Sequence, residues 1–434
     1  MLKRMLFILI IGMLLLPTVT QAQKKWVTFG VICPTSGPVA LLGQSMLMGI
    51  DLALEEVNTR WNPPDGGIIV GGQRYHVRYQ NYDDEADPAK SPIGFRKLVD
   101  SYKVPFILGP LGTPHSWGCS PISQELGVLF DGFSASDKTR RMGNPYLFQS
   151  RPPANYLAAP MAKACIDRGW KRFAVLADVS EAYTQWGKDF KAEMEKLGGT
   201  SIGFESVDTK TVTDYHSIMT KFNANRPDVI FLSAYEEPNA TMAMHALDVG
   251  YKGKFLGNEN FTHITINIVG AKRLVGSILD TWGMHYYRDH PEEDPTGAVP
   301  YVWKLYKQKY GDKPWHGLVG NLWDQSLHFI KAMEVAGSVT DSLAIRVALD
   351  RAASLMRNRM TCPYDGVLPE GVMTGWTDLL VEIQPEGTMK KVGELVTPTE
   401  ALRIYKNPDD SPLYKLLKEK KRYDEFKKKG LLRE

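Results

Sequence analysis

Val104-Pro-Phe-Ile-Leu-Gly-Pro-Leu-Gly-Thr-Pro-His-Ser116 and Val128-Leu-Phe-Asp-Gly-Phe-Ser-Ala-Ser136 are two apolar runs that end in small residues and hydroxyls. Short apolar runs bounded by Gly and Pro read as buried strands. The stretch between them, from Pro114 to Glu125, has the length of a helix, so the unit reads strand–helix–strand. The alternation continues on both sides. Residues 26–33 read as a strand, followed by Leu47, Ile50, Leu54 and Val57 at helical spacing with Glu55 and Glu56 on the polar side. Residues 76–82 read as a strand, and residues 92–102 and 156–168 as helices. The pattern then restarts, with strands at 172–178, 228–233, 254–257 and 275–281 and helices at 187–197 and 238–249. Such alternation implies parallel sheets covered on both faces. The predicted fold class is therefore α/β, with two doubly wound parallel-sheet lobes. Sheets of this kind bind ligands beyond the carboxyl ends of their strands, which is where Thr113, Ser134 and Ser136 fall.

The remaining chain is less regular. Residues 318–337 and 343–353 carry long helical patterns, and residues 355–400 read as irregular or short-strand structure. Residues 408–412 read as a linker, and residues 414–429 as one charged amphipathic helix. Lys3 and Arg4, an apolar run from Met5 to Leu16 and the small-residue site at Thr20-Gln21-Ala22 read as an export leader cleaved near Ala22. No other stretch reaches about eighteen apolar residues. The charge is nearly balanced, 52 Lys and Arg against 49 Asp and Glu, so nucleic acid is not an expected partner. Residues 401–434 depart from that balance, with eleven basic residues against six acidic. A basic helix of this kind reads first as a solvated face, and more sharply as a docking element for a membrane partner. Cys33, Cys119, Cys165 and Cys362 are far apart in the chain, without a CxxC pair or a histidine cluster, so no metal or cofactor is indicated. One disulfide and four buried thiols remain equally open.

Site chemistry follows from strand ends. A helix starting near Pro114 offers unpaired N–H groups and a partial positive charge to a carboxylate, and Thr113 and Ser136 add hydroxyl donors. Tyr235 and Glu259, at the ends of two later strands, supply a ring and an acid that can meet an ammonium group. Plainer roles exist for each: Thr113 as a cap, Ser134 and Ser136 as loop hydroxyls, Tyr235 as packing, Glu259 as a solvated acid. Gly132-Phe-Ser-Ala-Ser136 is one residue short of a nucleophile elbow, with His115 nearby, so a secreted serine hydrolase is an alternative class.

Further residues carry a resemblance. Pro34-Thr-Ser-Gly-Pro-Val-Ala40, Gly43, Gly49-Ile-Asp-Leu-Ala-Leu-Glu-Glu-Val-Asn58 and Asn321-Leu-Trp-Asp-Gln-Ser-Leu327 occur in the right order with the two opening runs. Over residues 26–395 the chain resembles the type I periplasmic solute-binding proteins, in particular the leucine/isoleucine/valine-binding branch that feeds ABC importers. The resemblance implies ligand contacts from Thr113, Ser134, Ser136, Tyr183, Tyr235 and Glu259. Trp186 competes with Tyr183 for its role, and Leu42 stands where leucine-binding members carry Tyr. It also implies lobes joined by three crossings, near residues 148–154, 280–286 and 352–360. The expected limits are 23–150 with 284–355 for lobe 1 and 151–283 with 356–400 for lobe 2. The expected function is capture of an amino acid, or alternatively an aromatic or aliphatic carboxylate or small amide, by hinge closure. The protein would act in the periplasm as a monomer that hands its ligand to a membrane permease, without catalysis. A ligand-sensing receptor module is the other non-catalytic alternative.

Overall fold

A computed structural model describes residues 24–37 and 39–433; the expected leader and its cleavage site lie outside the described residues. The first sheet contains β1 (Trp26–Ile32), β2 (Ile68–Val70), β3 (Gln73–Tyr82), β4 (Phe106–Leu111), β5 (Leu129–Phe133) and β6 (Leu147–Phe148), in the order β2-β3-β1-β4-β5-β6. All its neighbours are parallel except the β2–β3 hairpin. The second sheet begins with β7 (Arg172–Asp178), β8 (Thr200–Val207), β9 (Val229–Ser233), β10 (Lys254–Gly257) and β11 (Ile278–Thr281), again parallel. After a minor pair, β12 (Gly366–Val367) and β13 (Met373–Thr374), the strands β14 (Thr377–Ile383) and β15 (Met389–Val396) extend it antiparallel, giving β15-β14-β11-β10-β9-β7-β8. The two lobes repeat one winding. In each, the first strand lies between the second and the third, β1 between β3 and β4 and β7 between β9 and β8. The winding direction reverses there, and a crevice opens beyond the carboxyl ends.

The chain passes between the lobes three times, after β6, after β11 and before β14. The third passage is the best tied. The helix Leu318–Ala336 is apolar or buried almost all round, as a helix inside the fold must be. It packs on the helix Ala40–Arg60 so closely that a Cβ on Gly49 would stand 2.1 Å from the Val319 carbonyl oxygen. From its inner side Asp324 accepts the amides of Thr361 and Cys362 and the Thr361 hydroxyl, each at 2.8 Å.

Several elements differ from the sequence reading. The β2 and β8 strands and the helices His216–Ala224 and Ala298–Tyr310 were not anticipated. Within the region expected to be irregular or short-strand, residues 377–396 form a hairpin of two strands of seven and eight residues. Glu56 is not a plain polar-face residue: it is half-buried with Oε2 shut off from solvent, and that burial raises its pKa. The charged helix expected over 414–429 is two short helices, Pro412–Glu419 and Tyr423–Lys428, broken at Lys421, whose φ is +55°. Nor is it merely solvated: Leu413, Tyr414, Leu417 and Phe426 are buried. All four cysteines are buried free thiols.

Candidate functional site

The loops at both switch points meet in one cleft. Its lining includes Leu42 from the first turn of the helix Ala40–Arg60, Gly112, Thr113 and Pro114 after β4, and Phe133 and Ala135 at the end of β5. The second lobe contributes Tyr183 after β7, Tyr235 after β9, Glu259 and Asn260 after β10, and Trp282 after β11. The free space is about 90 Å³, less than the roughly 150 Å³ that admits a benzene ring into a closed cavity. A ring-sized solute therefore needs the cleft wider than it stands here.

The first-lobe wall is built from hydroxyls in series. Gly109 (φ +88°) lets β4 pass close to β1, since a Cβ there would stand 2.2 Å from the Ile32 carbonyl oxygen. The chain then delivers Thr113 to the start of the helix Thr113–Leu126. Thr113 Oγ1 lies 2.9 Å from Ser134 Oγ, and Ser134 Oγ lies 2.7 Å from Thr139 Oγ1. Two donors with fixed hydrogens feed this series: the Trp117 indole to Thr139 (2.9 Å) and the Ser136 amide to Ser134 (3.2 Å). Run in one sense, from the Trp117 indole through Thr139 and Ser134, the series leaves the Thr113 hydrogen free to meet a ligand oxygen; run in the other, Thr113 donates to Ser134 and offers the ligand an acceptor. Ser134 therefore stands behind Thr113 instead of lining the cleft. Ser136 Oγ is engaged as a helix cap, accepting the Lys138 amide at 3.2 Å. The Ser–His pair that the elbow-like stretch suggested does not form, since Ser134 bonds to Thr113 and Thr139 and the His115 ring nitrogens have no hydrogen-bond partner among the described residues.

The second-lobe wall is aromatic. Tyr183 and Tyr235 meet edge to face, with centroids 5.3 Å apart at 89°. Asn260 fixes the Tyr183 hydroxyl by donating to it at 2.6 Å. Trp186 is not the competitor that its spacing suggested: it is fully buried and packs edge to face on Phe231 in the lobe core. Trp323 is likewise a core residue, set against Tyr301.

Sequence reasoning missed the cation. Arg151, on the first passage between lobes, donates from Nη1 to Glu259 Oε1 at 2.8 Å, and both side chains are buried. Its guanidinium also lies over the Trp282 ring, 5.8 Å from the centroid. Burial alone would depress Arg151, but the charge and hydrogen bond of Glu259 outweigh it and hold the guanidinium above its ordinary range. Behind this pair, burial drives Asp280 well above the carboxylate range and Asp378 up to about 7, although the Trp376 indole donates to Asp378 at 2.7 Å. The cleft floor thus carries one cation and one anion, backed by two acids whose ionisation burial opposes. Glu259 Oε2 and Arg151 Nε are buried without partners among the described residues. Opposite, His316 Nε2 lies 3.0 Å from Glu236 Oε1, joining the loop before Leu318–Ala336 to the helix that follows β9. A charged residue three positions after the apolar stretch Tyr146-Leu-Phe148 is the one signal in the sequence that points to Arg151.

Comparison with known proteins fits this architecture. The family model described as periplasmic binding protein matches residues 27–375, and the chain belongs to that family. It is 24% identical over 332 residues to Leu/Ile/Val-binding protein homolog 8 of Brucella abortus, covering 73% of this chain and 78% of that protein. A leucine-binding protein of Thermotoga maritima superposes with a TM-score of 0.70 at 22% identity, covering 85% of this chain and 99% of that one. A solute-binding protein of R. palustris in complex with 4-hydroxybenzoate superposes with a TM-score of 0.69 at 21% identity, covering 87% and 99%.

Proposed function

We propose that this family member is the substrate-capturing component of an ABC importer, working in the periplasm, and that its solute is a small carboxylate with a flat apolar body, such as an aromatic acid. The observation that carries the reading is the Arg151–Glu259 pair. A buried ion pair tolerates poorly the removal or reassignment of one partner, at a cost of about 3–5 kcal/mol. An ammonium group brought to Glu259 must share it with a guanidinium already in place. A carboxylate meets no such conflict. It finds the start of Thr113–Leu126, the Thr113 hydroxyl and the unpartnered Nε of Arg151. The aromatic edges of Tyr183, Tyr235 and Trp282 suit a ring packed between them. That a protein of the same fold holds 4-hydroxybenzoate lends support.

A second reading keeps the amino acid. Glu259 Oε2 has no partner, so it can accept an ammonium without releasing Arg151, and the leucine-binding likeness supports this. Thermal-shift titration of the purified chain with benzoate, 4-hydroxybenzoate, leucine, isoleucine and valine separates the two. A ligand at a hundred times its Kd adds about 2.7 kcal/mol of stability. The proposal expects that gain from the aromatic acids and none from phenol, which lacks the carboxylate. A shift from the amino acids alone, abolished in Glu259→Gln, would sink it in favour of the second reading.

A further inference from the structure

We propose that the carboxyl-terminal segment, residues 401–433, is a docking surface for an anionic lipid bilayer. Three observations carry it. The first is its charge. Residues 415–429 hold eight Lys and Arg against three Asp and Glu, whereas the chain before residue 401 holds 41 basic residues against 43 acidic. Positive potential is therefore a local property of this segment. The second is its place in the chain: it follows the region that the family model matches, which ends at residue 375. Its first residues reach the lobe crossings, where Leu402 packs with Leu368 and Val372 and its carbonyl accepts from Arg140, and the basic stretch from 415 onward follows them.

The third is how it is held. The apolar side of the segment is already used, because Leu413, Tyr414, Leu417, Phe426 and Leu431 are buried in the body of the protein. Arg422 pairs with Asp341 at 2.6 Å and Arg433 with Asp350 at 3.4 Å, while Glu370 accepts the amides of Ile404 and Tyr405. A segment with its apolar face spent cannot insert into a bilayer as an amphipathic helix does. It presents charge alone. Lys415, Lys420, Lys421, Lys427 and Lys428 are exposed and, among the described residues, lie beyond salt-bridge distance of any carboxylate. Lysines so displayed are drawn to anionic headgroups by about 1 kcal/mol each, or roughly fivefold in partitioning.

The geometry leaves the cleft free. Arg422 reaches Asp341, and the adjacent Ser342 hydroxyl donates to the Pro105 carbonyl. Pro105 precedes β4, so this end of the segment sits at the amino ends of the first-sheet strands, opposite the cleft at their carboxyl ends. A molecule held at a membrane by this pole can still open, load and close. The inference rests on the extracytoplasmic reading above but not on the identity of the solute.

The test is co-sedimentation of the chain from residue 23 onward with vesicles of phosphatidylcholine alone or mixed with phosphatidylglycerol. Binding is expected only to the mixed vesicles and should fall away as salt shortens the screening length. The variant K420Q/K421Q/K427Q/K428Q should bind at least about tenfold less, with K420R/K421R/K427R/K428R unchanged and the solute-induced thermal shift retained in both. No excess binding to phosphatidylglycerol vesicles overturns the proposal, as does equal binding by the glutamine variant. Tighter binding to soluble polyphosphate than to the vesicles overturns it too, in favour of an anionic polymer. Loss of the solute shift in the unsubstituted chain would instead count against the proposed solute.

Discussion

Arg151 and Glu259 each make sense only with the other. Glu259 alone is a buried carboxylate aimed at a ligand ammonium, and Arg151 alone is a buried cation without cause. Paired at 2.8 Å they cancel, and the cleft becomes neutral with one donor and one acceptor to spare. Breaking the pair from either side should destabilise the chain by about 3–5 kcal/mol, and R151M/E259Q together by clearly less than the sum; urea denaturation of the three variants checks this. Binding should split differently. Arg151→Gln should weaken an aromatic carboxylate at least about tenfold, since a charged hydrogen bond is worth about 1.5–3 kcal/mol, while Glu259→Gln should not weaken it. The hydroxyls divide in the same way. Thr113→Val should lower affinity about tenfold by removing its hydroxyl from the cleft wall. Ser136→Ala should cost about 1 kcal/mol of stability, because its hydroxyl caps the helix Asp137–Arg141, and leave affinity intact. Calorimetric titration and melting curves on the same samples distinguish the two roles. Residue type and strand-end position pointed from the sequence to Thr113, Tyr235 and Glu259, and the family resemblance added Tyr183; the structure brings all four to the cleft. Those signals could not show that Ser134 stands one shell back, nor that Arg151 arrives opposite Glu259 from 108 positions away.

The helix Leu318–Ala336 shows how one element ties the molecule together. Asp324 gathers three donors from Thr361 and Cys362. Asp324→Ala strands all three in a dry interior, so a loss of at least about 3 kcal/mol is expected in chemical denaturation. One turn later, His328 Nε2–H donates to the Leu349 carbonyl at 2.8 Å while Nδ1 accepts the Tyr364 hydroxyl at 2.5 Å. That pattern needs the neutral imidazole, and burial pushes its pKa down to about 4, only partly offset by the Leu349 bond. The unfolded chain takes up this proton near pH 6.5. Between about pH 6.5 and pH 4 it therefore binds more protons than the folded chain, and the stability supplied by His328 is complete above 6.5 and drains away as pH falls. The destabilisation caused by His328→Gln should accordingly be largest at pH 7 and shrink by about 2 kcal/mol at pH 4.5, read from calorimetric melting at both values. This helix was plain in the sequence because its periodicity is long and apolar. β8 was not: every residue after Thr200 is half-buried and the run mixes Ser, Gly and Glu, so it lacks both the unbroken apolar run and the clean alternation that mark strands. The hairpin β14–β15 was obscured by its charges, with Lys390, Lys391 and Glu394 on an edge strand that must discourage further pairing.

At the scale of the whole molecule, the His316–Glu236 contact bears on how a captured solute is kept. His316 belongs to a loop fixed to the first lobe through Leu318–Ala336, and Glu236 opens the helix after β9 in the second. Their 3.0 Å bond is buried beside the cleft, so a hinge opening of the kind proposed above would break it. Its surroundings sharpen the case. His285 lies 5.8 Å from the His316 ring and from the His263 ring; burial first, then the neighbouring histidines and Arg288, keep its pKa well below the usual range. With His285 neutral and His263 lowered to about 4, Glu236 is the nearby group bonded to His316. A latch made after capture affects escape, not entry. Glu236→Gln should therefore raise the dissociation rate of the solute about tenfold, from loss of a charge-assisted bond, while the association rate stays within about twofold because the open form meets the solute first. Stopped-flow fluorescence, with Trp282 in the cleft as reporter, measures both rates. Small-angle scattering adds a second reading: solute should shrink the radius of gyration of the unsubstituted chain more than that of the variant. A slower association with unchanged dissociation would mean that Glu236 shapes the open cleft instead, and the latch would have to be abandoned.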